Sequence, residues 1–181
     1  AFNNIVEWFE ESDKKFKTLM GYAGTGKTTL LNEIAKYSRN NDVNVLFTAT
    51  TNKAVKVLRS RVDHCNFSTI HSACNIKPKK KGDKEVFEPV KYNKKDITKY
   101  DLVVVDEASM TSKKLLDIID QEIAFLGIKV LFCGDPAQLQ PINEEKSKVF
   151  DYDPEMLDTI IRHGDTIANK SKLVRETDQY I

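Results

Sequence analysis

The chain has 181 residues, 40% of them hydrophobic and 30% charged, with a formal net charge of +1. That length suits one domain with a sizeable core, while the near-neutral balance leaves any polyanion partner to a local patch. No apolar run reaches a membrane span, no signal peptide is legible, and Cys65, Cys74 and Cys133 are too few and too scattered for a disulfide framework; a cytoplasmic setting is expected.

In chain order, residues 2–11 place Phe2, Ile5, Val6 and Phe9 at helical spacing. FKTLM (16–20) is a short strand that runs into a glycine-rich loop. TTLLNEIAKYS (28–38) reads as a helix with Leu30, Leu31, Ile34 and Ala35 inward. NVLFTA (44–49) reads as a buried strand and NKAVKVLRSRV (52–62) as a helix, and STIHSAC (68–74) as a short helix capped by Ser68. DLVVVDE (101–107) is a continuous apolar strand ending in two acids. SKKLLDIIDQEIAFL (112–126) is an amphipathic helix, and IKVLFCGD (128–135) a second buried strand ending in an acid. Apolar strands alternating with helices predict an α/β fold whose parallel sheet is covered by helices on both faces, with its ligand beyond the carboxyl ends of the strands. The glycine loop, Asp106, Glu107 and Asp135 all fall at such ends.

Residues 77–99 break the alternation. They hold nine lysines against four acids. EVFEPV and VKY are strand-like, and Pro78, Gly82 and Pro89 punctuate them, so a small β insertion such as a hairpin is expected. A solvated lysine-rich loop and a basic finger beside a polyanion both fit this composition.

The segment Gly21–Thr28 matches G-x-x-x-x-G-K-[ST] between a predicted strand and a predicted helix. Gly21, Ala23, Gly24, Thr25 and Gly26 supply a pliable backbone whose N–H groups can face phosphate oxygens, and the helix start beginning Lys27, Thr28, Thr29 adds its positive end. Lys27 is expected on the β- and γ-phosphates, and the Thr28 hydroxyl on Mg²⁺. Asp106 is the expected second metal-side group. Glu107 beside it is the candidate base for an attacking water. In CGDPAQLQPI (133–142), Gln138 is placed to sense a γ-phosphate through its amide.

Together GYAGTGKTT, TATTNKA, STIHS, VVVDEAS and GDPAQLQPI resemble, in content and order, the motifs of superfamily 1 DNA helicases, most nearly the 5′-to-3′ branch that includes RecD and Dda. The resemblance runs from Ala1 to about Arg162. It implies a RecA-like P-loop NTPase acting as an ATP- and Mg²⁺-dependent DNA helicase. Its motor domain would comprise residues 1–76 and 100–162, with a pin-like insertion at 77–99 and the start of a second motor domain or linker at 163–181. Gln138 would couple the γ-phosphate to the DNA path. LDTIIRHG resembles the next motif, and there Arg162 would stabilise transition-state charge. Thr51, Asn52, Lys53, Ser68, Thr69 and His71 would face single-stranded DNA, and Phe87 would stack at the junction of forked DNA. Replication or recombination proteins are the implied company, in a bacterial or phage-infected cell. The chain is expected to be part of a longer protein, because the family's second motor domain has no counterpart in it.

Blander roles stay open for several of these residues. Ser68 and Thr69 can serve as helix caps, His71 as a satisfied histidine at a helix start, and Phe87 as packing within its own hairpin. His64, Cys65, His71 and Cys74 invite a zinc reading, but their spacing is not that of a finger. The phosphate loop alone also admits a nucleoside kinase-like phosphotransferase, or an ATP-gated DNA-binding module without catalysis.

Overall fold

The structure, a computed structural model, describes residues 1–82, 84–90 and 96–157. In chain order the elements are α1 (Phe2–Glu11), β1 (Phe16–Gly21), α2 (Lys27–Asn40), β2 (Val45–Ala49), α3 (Asn52–Arg59), β3 (Asn66–Thr69), α4 (Ile70–Ala73), β4 (Ile76–Lys81), β5 (Lys84–Pro89), β6 (Leu102–Asp106), α5 (Lys113–Glu122), β7 (Lys129–Gly134) and β8 (Pro154–Leu157). Six strands form one sheet in the order β3-β2-β6-β7-β1-β8, and every neighbouring pair is parallel.

The period of two along each strand divides the core between the two faces of this sheet. Leu46, Val103, Val105, Val130 and Phe132 point to one face, where they meet Ile70 and Ala73 of α4 and Leu115, Leu116 and Ile119 of α5. Phe47, Leu102, Val104 and Leu131 point to the other, where Ile5 and Trp8 of α1, Leu30, Leu31 and Ile34 of α2 and Leu58 of α3 cover them. Val103, Val104 and Val105 are fully buried, which is why β6 reads as unbroken apolar sequence. Each such side chain contributes about 1.5–3 kcal/mol of burial. Helices on both faces of a parallel sheet are the α/β architecture expected.

The structure departs from the local expectations at five places. Asn66–Thr69 is an edge strand beside β2, so Thr69, not Ser68, caps the short helix that follows. The helix of the TATTNKA block ends at Arg59, and α5 gives way after Glu122 to a tight turn over Ala124–Leu126. The insertion is a hairpin, and the partner of β5 is the lysine-rich Ile76–Lys81, a segment not among the expected strands; Lys91 and Tyr92 of VKY lie outside the described residues. Finally, Pro154–Leu157 adds a strand alongside β1 that had no counterpart among the expected elements.

Asn75 fixes the hairpin to the sheet domain. It is buried, has a left-handed φ of 54°, and its side-chain amide donates to the Val90 carbonyl at 2.6 Å while the Val90 N–H donates back to its own carbonyl at 3.1 Å. Asn tolerates this conformation better than most residues, so the exit and return of the hairpin are pinned at one point.

Candidate nucleotide site and the cavity beside it

The glycine loop leaves β1 at Gly21 and enters α2 at Lys27. Gly24 and Gly26 take φ of 85° and 89°, left-handed values that a side chain would strain. Gly21 is required for a different reason: a Cβ there would stand 2.4 Å from Thr25 Oγ1. That hydroxyl is occupied, since Thr25 is buried and donates to the Tyr22 carbonyl at 2.8 Å, holding the loop curled. The Lys27 ammonium lies across the loop, donating to the carbonyls of Gly21 and of Tyr22, the latter at 3.0 Å. Ala23 and Thr25 complete the curve, and Lys27, Thr28 and Thr29 form the first turn of the helix. A loop with this curl and this charge fits a polyphosphate.

Two strands away, β6 delivers Asp106 and Glu107. Burial raises the Asp106 carboxyl above its usual range. A backbone hydrogen bond from Glu107, the charges of Lys27 and Arg61 and a hydrogen bond with the Cys133 thiol oppose that rise. Glu107 is likewise raised, first by burial and next by the neighbouring Asp106. Its backbone sits at φ 54° and ψ 38°, a left-handed conformation unusual for a residue with a side chain. Strain of this kind gathers at functional sites, and here it turns the chain abruptly out of the strand end. Thr28 and Asp106 line the same cavity and both offer oxygen, which is the donor chemistry Mg²⁺ takes.

One cavity joins these groups to the next block of the sequence. Its lining includes Thr28, Asp106 and Glu107 together with Thr51, Lys53 and Arg61. Thr51 caps α3, its Oγ1 accepting from the Ala54 N–H at 3.1 Å, and Asn52 is the exposed first residue of that helix. Thr50 brings a buried hydroxyl with no protein partner to the same cavity.

The remaining expected residues are dispersed. Thr69 pairs in register with Ala49, which places STIHS one strand outward from Thr51 along the same sheet edge. Its Oγ1 accepts from the Ser72 N–H at 3.1 Å, and Ser68 Oγ donates to the Thr69 carbonyl at 3.1 Å. His71 is half-buried, and burial lowers its pKa, which favours the neutral imidazole. Phe87 lies on the hairpin opposite Pro78 and is 54% exposed. Gln138 is not among the lining residues of the cavity; its N–H donates to the Asp135 carbonyl at 3.1 Å in the loop after β7. Arg162 lies outside the described residues. Among the described residues no group of three or more His, Cys, Asp or Glu side chains is arranged to hold a metal ion. No helix among them is long and apolar enough to cross a membrane.

Three contributors escaped sequence reasoning. Cys133, fully buried with its thiol pushed well above the usual range, stays protonated and hydrogen-bonds Asp106. Arg61 supplies a positive charge to both carboxylates. Gln140 staples the loop carrying Gln138, donating to the Pro136 and Gln138 carbonyls at 3.2 and 2.8 Å and accepting from the Ser147 N–H at 3.1 Å. Only Gln140 left a signal, as a second amide in AQLQPI.

A family model described as an AAA domain matches residues 3–179. The chain is 32% identical over 163 residues to the ATP-dependent DNA helicase PIF1 of Saccharomyces cerevisiae, covering 80% of this chain and 17% of that protein. It is 30% identical over 155 residues to the ATP-dependent DNA helicase dda of Enterobacteria phage T4, covering 83% and 33%. A structure of Bacteroides Pif1 bound to single-stranded DNA superposes with a TM-score of 0.69 at 22% identity, over 98% of this chain and 47% of that one. The chain therefore spans less than half the length of each of these relatives, and it shares the RecA-like fold of the solved structure. With the phosphate-loop motif, the matched family model and the fold agreeing, the chain belongs to this AAA domain family.

Proposed function

We propose that the protein hydrolyses ATP to move along single-stranded DNA and open forked duplex in the 5′-to-3′ direction. The observation that carries this reading is the shared cavity. Residues suited to phosphate chemistry (Thr28, Asp106, Glu107) and residues suited to gripping a strand (Thr51, Lys53) line one space. The sequence similarity to PIF1 and dda supports the same reading.

In this reading residues 1–76 and 100–162 are the motor domain, 77–99 a pin, and 163–181 the beginning of a second motor domain or a linker. Gly21, Ala23, Gly24, Thr25, Gly26, Lys27, Thr28 and Thr29 bind the triphosphate, while Thr28 and Asp106 hold Mg²⁺. ATP with its metal supplies the phosphoanhydride and part of the charge neutralisation. Glu107 orients the attacking water and accepts its proton. Its raised proton affinity, from burial and Asp106, brings it nearer the working pH than an exposed glutamate. Lys27 and Arg162 set positive charge against the phosphoryl group in transit. Gln138, at the neighbouring strand end, reports the state of the γ-phosphate. Asn52, Lys53 and the Thr51 and Ser68–His71 loops hold the strand at its phosphates, with little sequence preference. Phe87 stacks at the fork. A cytoplasmic setting in a bacterial or phage-infected cell, alongside replication or recombination proteins, completes the reading.

The test is ATP turnover by the full-length protein with and without single-stranded DNA. Stimulation by DNA is the expected result. Phosphate transfer to a nucleoside without DNA dependence would establish the phosphotransferase. ATP-dependent DNA binding with no turnover would establish the non-catalytic module.

A further inference from the structure

The hairpin is chemically two-faced. Its register pairs Ile76 with Pro89, Pro78 with Phe87 and Lys80 with Glu85, and this set shares one face of the ribbon. That face is apolar near its base, where Ile76 packs against the core, and its one lysine stands opposite an acid. The opposite face carries Lys77, Lys79 and Lys81 at alternate positions, with Glu88 as the acid among them. All three lysines are exposed. Lys81 reaches Glu88 at 2.7 Å, and the Glu88 carboxyl is held below its usual range first by that hydrogen bond and further by the charges of Lys81, Lys79 and Lys114. Lys114 lies in the first turn of α5, so the cationic surface continues from the hairpin onto the domain.

Alternate residues on a strand stand about 6.5 Å apart, a separation comparable to that of neighbouring phosphates along one nucleic-acid strand. From this spacing, and from the charge difference between the two faces, we infer that Lys77, Lys79 and Lys81 bind the phosphate backbone of the displaced strand at a fork. The inference rests on the helicase reading above. In that reading one strand crosses Thr51 and the Ser68–His71 loop, whose short helix leads directly into the hairpin through the Asn75 clasp. Phe87 is on the face away from the three lysines. A ribbon with a stacking side chain on one face and a row of cations on the other holds the two strands apart, and gives the released strand a counter-charged track.

The experiment measures binding of the full-length protein to two fluorescent oligonucleotides across a salt series. One is a fork with a displaced single-stranded tail, and the other is the same duplex and loading strand without that tail. For the variant Lys77→Gln/Lys79→Gln/Lys81→Gln, the slope of log affinity against log salt on the tailed fork should fall by about two, from roughly 0.7 per lost phosphate contact. The tail-less substrate should show no change. Glu88→Gln, which frees Lys81, should tighten binding to the tailed fork and steepen its slope. An unchanged slope on the tailed fork, or an equal loss on both substrates, would overturn the assignment to the displaced strand. These outcomes are separable from failure of the helicase reading, which would appear as wild-type ATP turnover insensitive to single-stranded DNA.

Discussion

The sheet end that carries the glycine loop and the hairpin that carries the lysines are built on opposite terms. At the sheet end, Asp106 and Glu107 are drawn out of water and their carboxyls raised by burial, and the Thr25 hydroxyl fills the space a side chain at Gly21 would need. On the hairpin, the side chains of β4 beyond Ile76 are exposed, and the anchoring is at the base, through the Asn75 clasp and the packing of Ile76. The first arrangement presents rigid, desolvated groups to a small ligand. The second presents exposed charges in high dielectric to a long polyanion, where many weak contacts add up. Substitutions at the sheet end should therefore act as large, localised losses, and those on the hairpin as graded, salt-dependent ones.

The sharpest break in that contrast comes from Glu107→Gln. It keeps the shape and removes the base, so ATP turnover should fall about 10²–10⁴-fold while nucleotide binding persists, as measured by parallel kinetics and titration. Next is Gly21→Ala. Its Cβ would stand 2.4 Å from Thr25 Oγ1 and 3.1 Å from Leu157 Cβ, so the loop must open. ATP affinity should drop by about tenfold or more, about 1.4 kcal/mol.

At the opposite end of β1, Lys17 is 5% exposed and pairs with Asp153 at 3.1 Å. Asp153→Asn leaves a buried ammonium with a weaker partner, and thermal unfolding should report a loss of about 1–3 kcal/mol, discounted because Asp153 is itself partly solvated. The hydrogen bond from Lys17 holds the Asp153 carboxyl below the usual aspartate range. The stabilisation is therefore full above the ordinary aspartate range and is lost as pH falls through the depressed folded value, so wild type and variant should converge in acid. The smallest effect is expected from Phe87→Ala, which should slow strand separation several-fold, by loss of stacking, and change ATP turnover less. Equal loss in both measurements would mean that Phe87 serves only to pack against Pro78.

The central strands were legible because burial on both faces leaves little but apolar residues, as in Leu102–Val105 and Val130–Cys133. The glycine loop was legible because its chemistry needs a local pattern. Edge strands were not. Asn66–Thr69 and Pro154–Leu157 bury little, so nothing in NFST or PEML insists on a strand, and both are held by their neighbours instead. IKPKKK likewise reads as a loop until Val86 and Phe87 lie across from it. In the candidate site, the two acids at the end of β6 announce themselves in sequence. Cys133 and Arg61 do not, because they reach Asp106 only through strand order and the return of α3. Thr51 and Thr69 carry both readings at once, since each caps a helix and each lies along the same edge of the sheet.

The most direct measurement is a titration of the full-length protein with labelled ATP and Mg²⁺, run beside Lys27→Ala. Saturable binding by the wild type, lost or severely weakened in the variant, is the result expected of a triphosphate held at the turn from β1 into α2. Binding of equal strength by both proteins would place the nucleotide elsewhere and contradict the motor reading at its root.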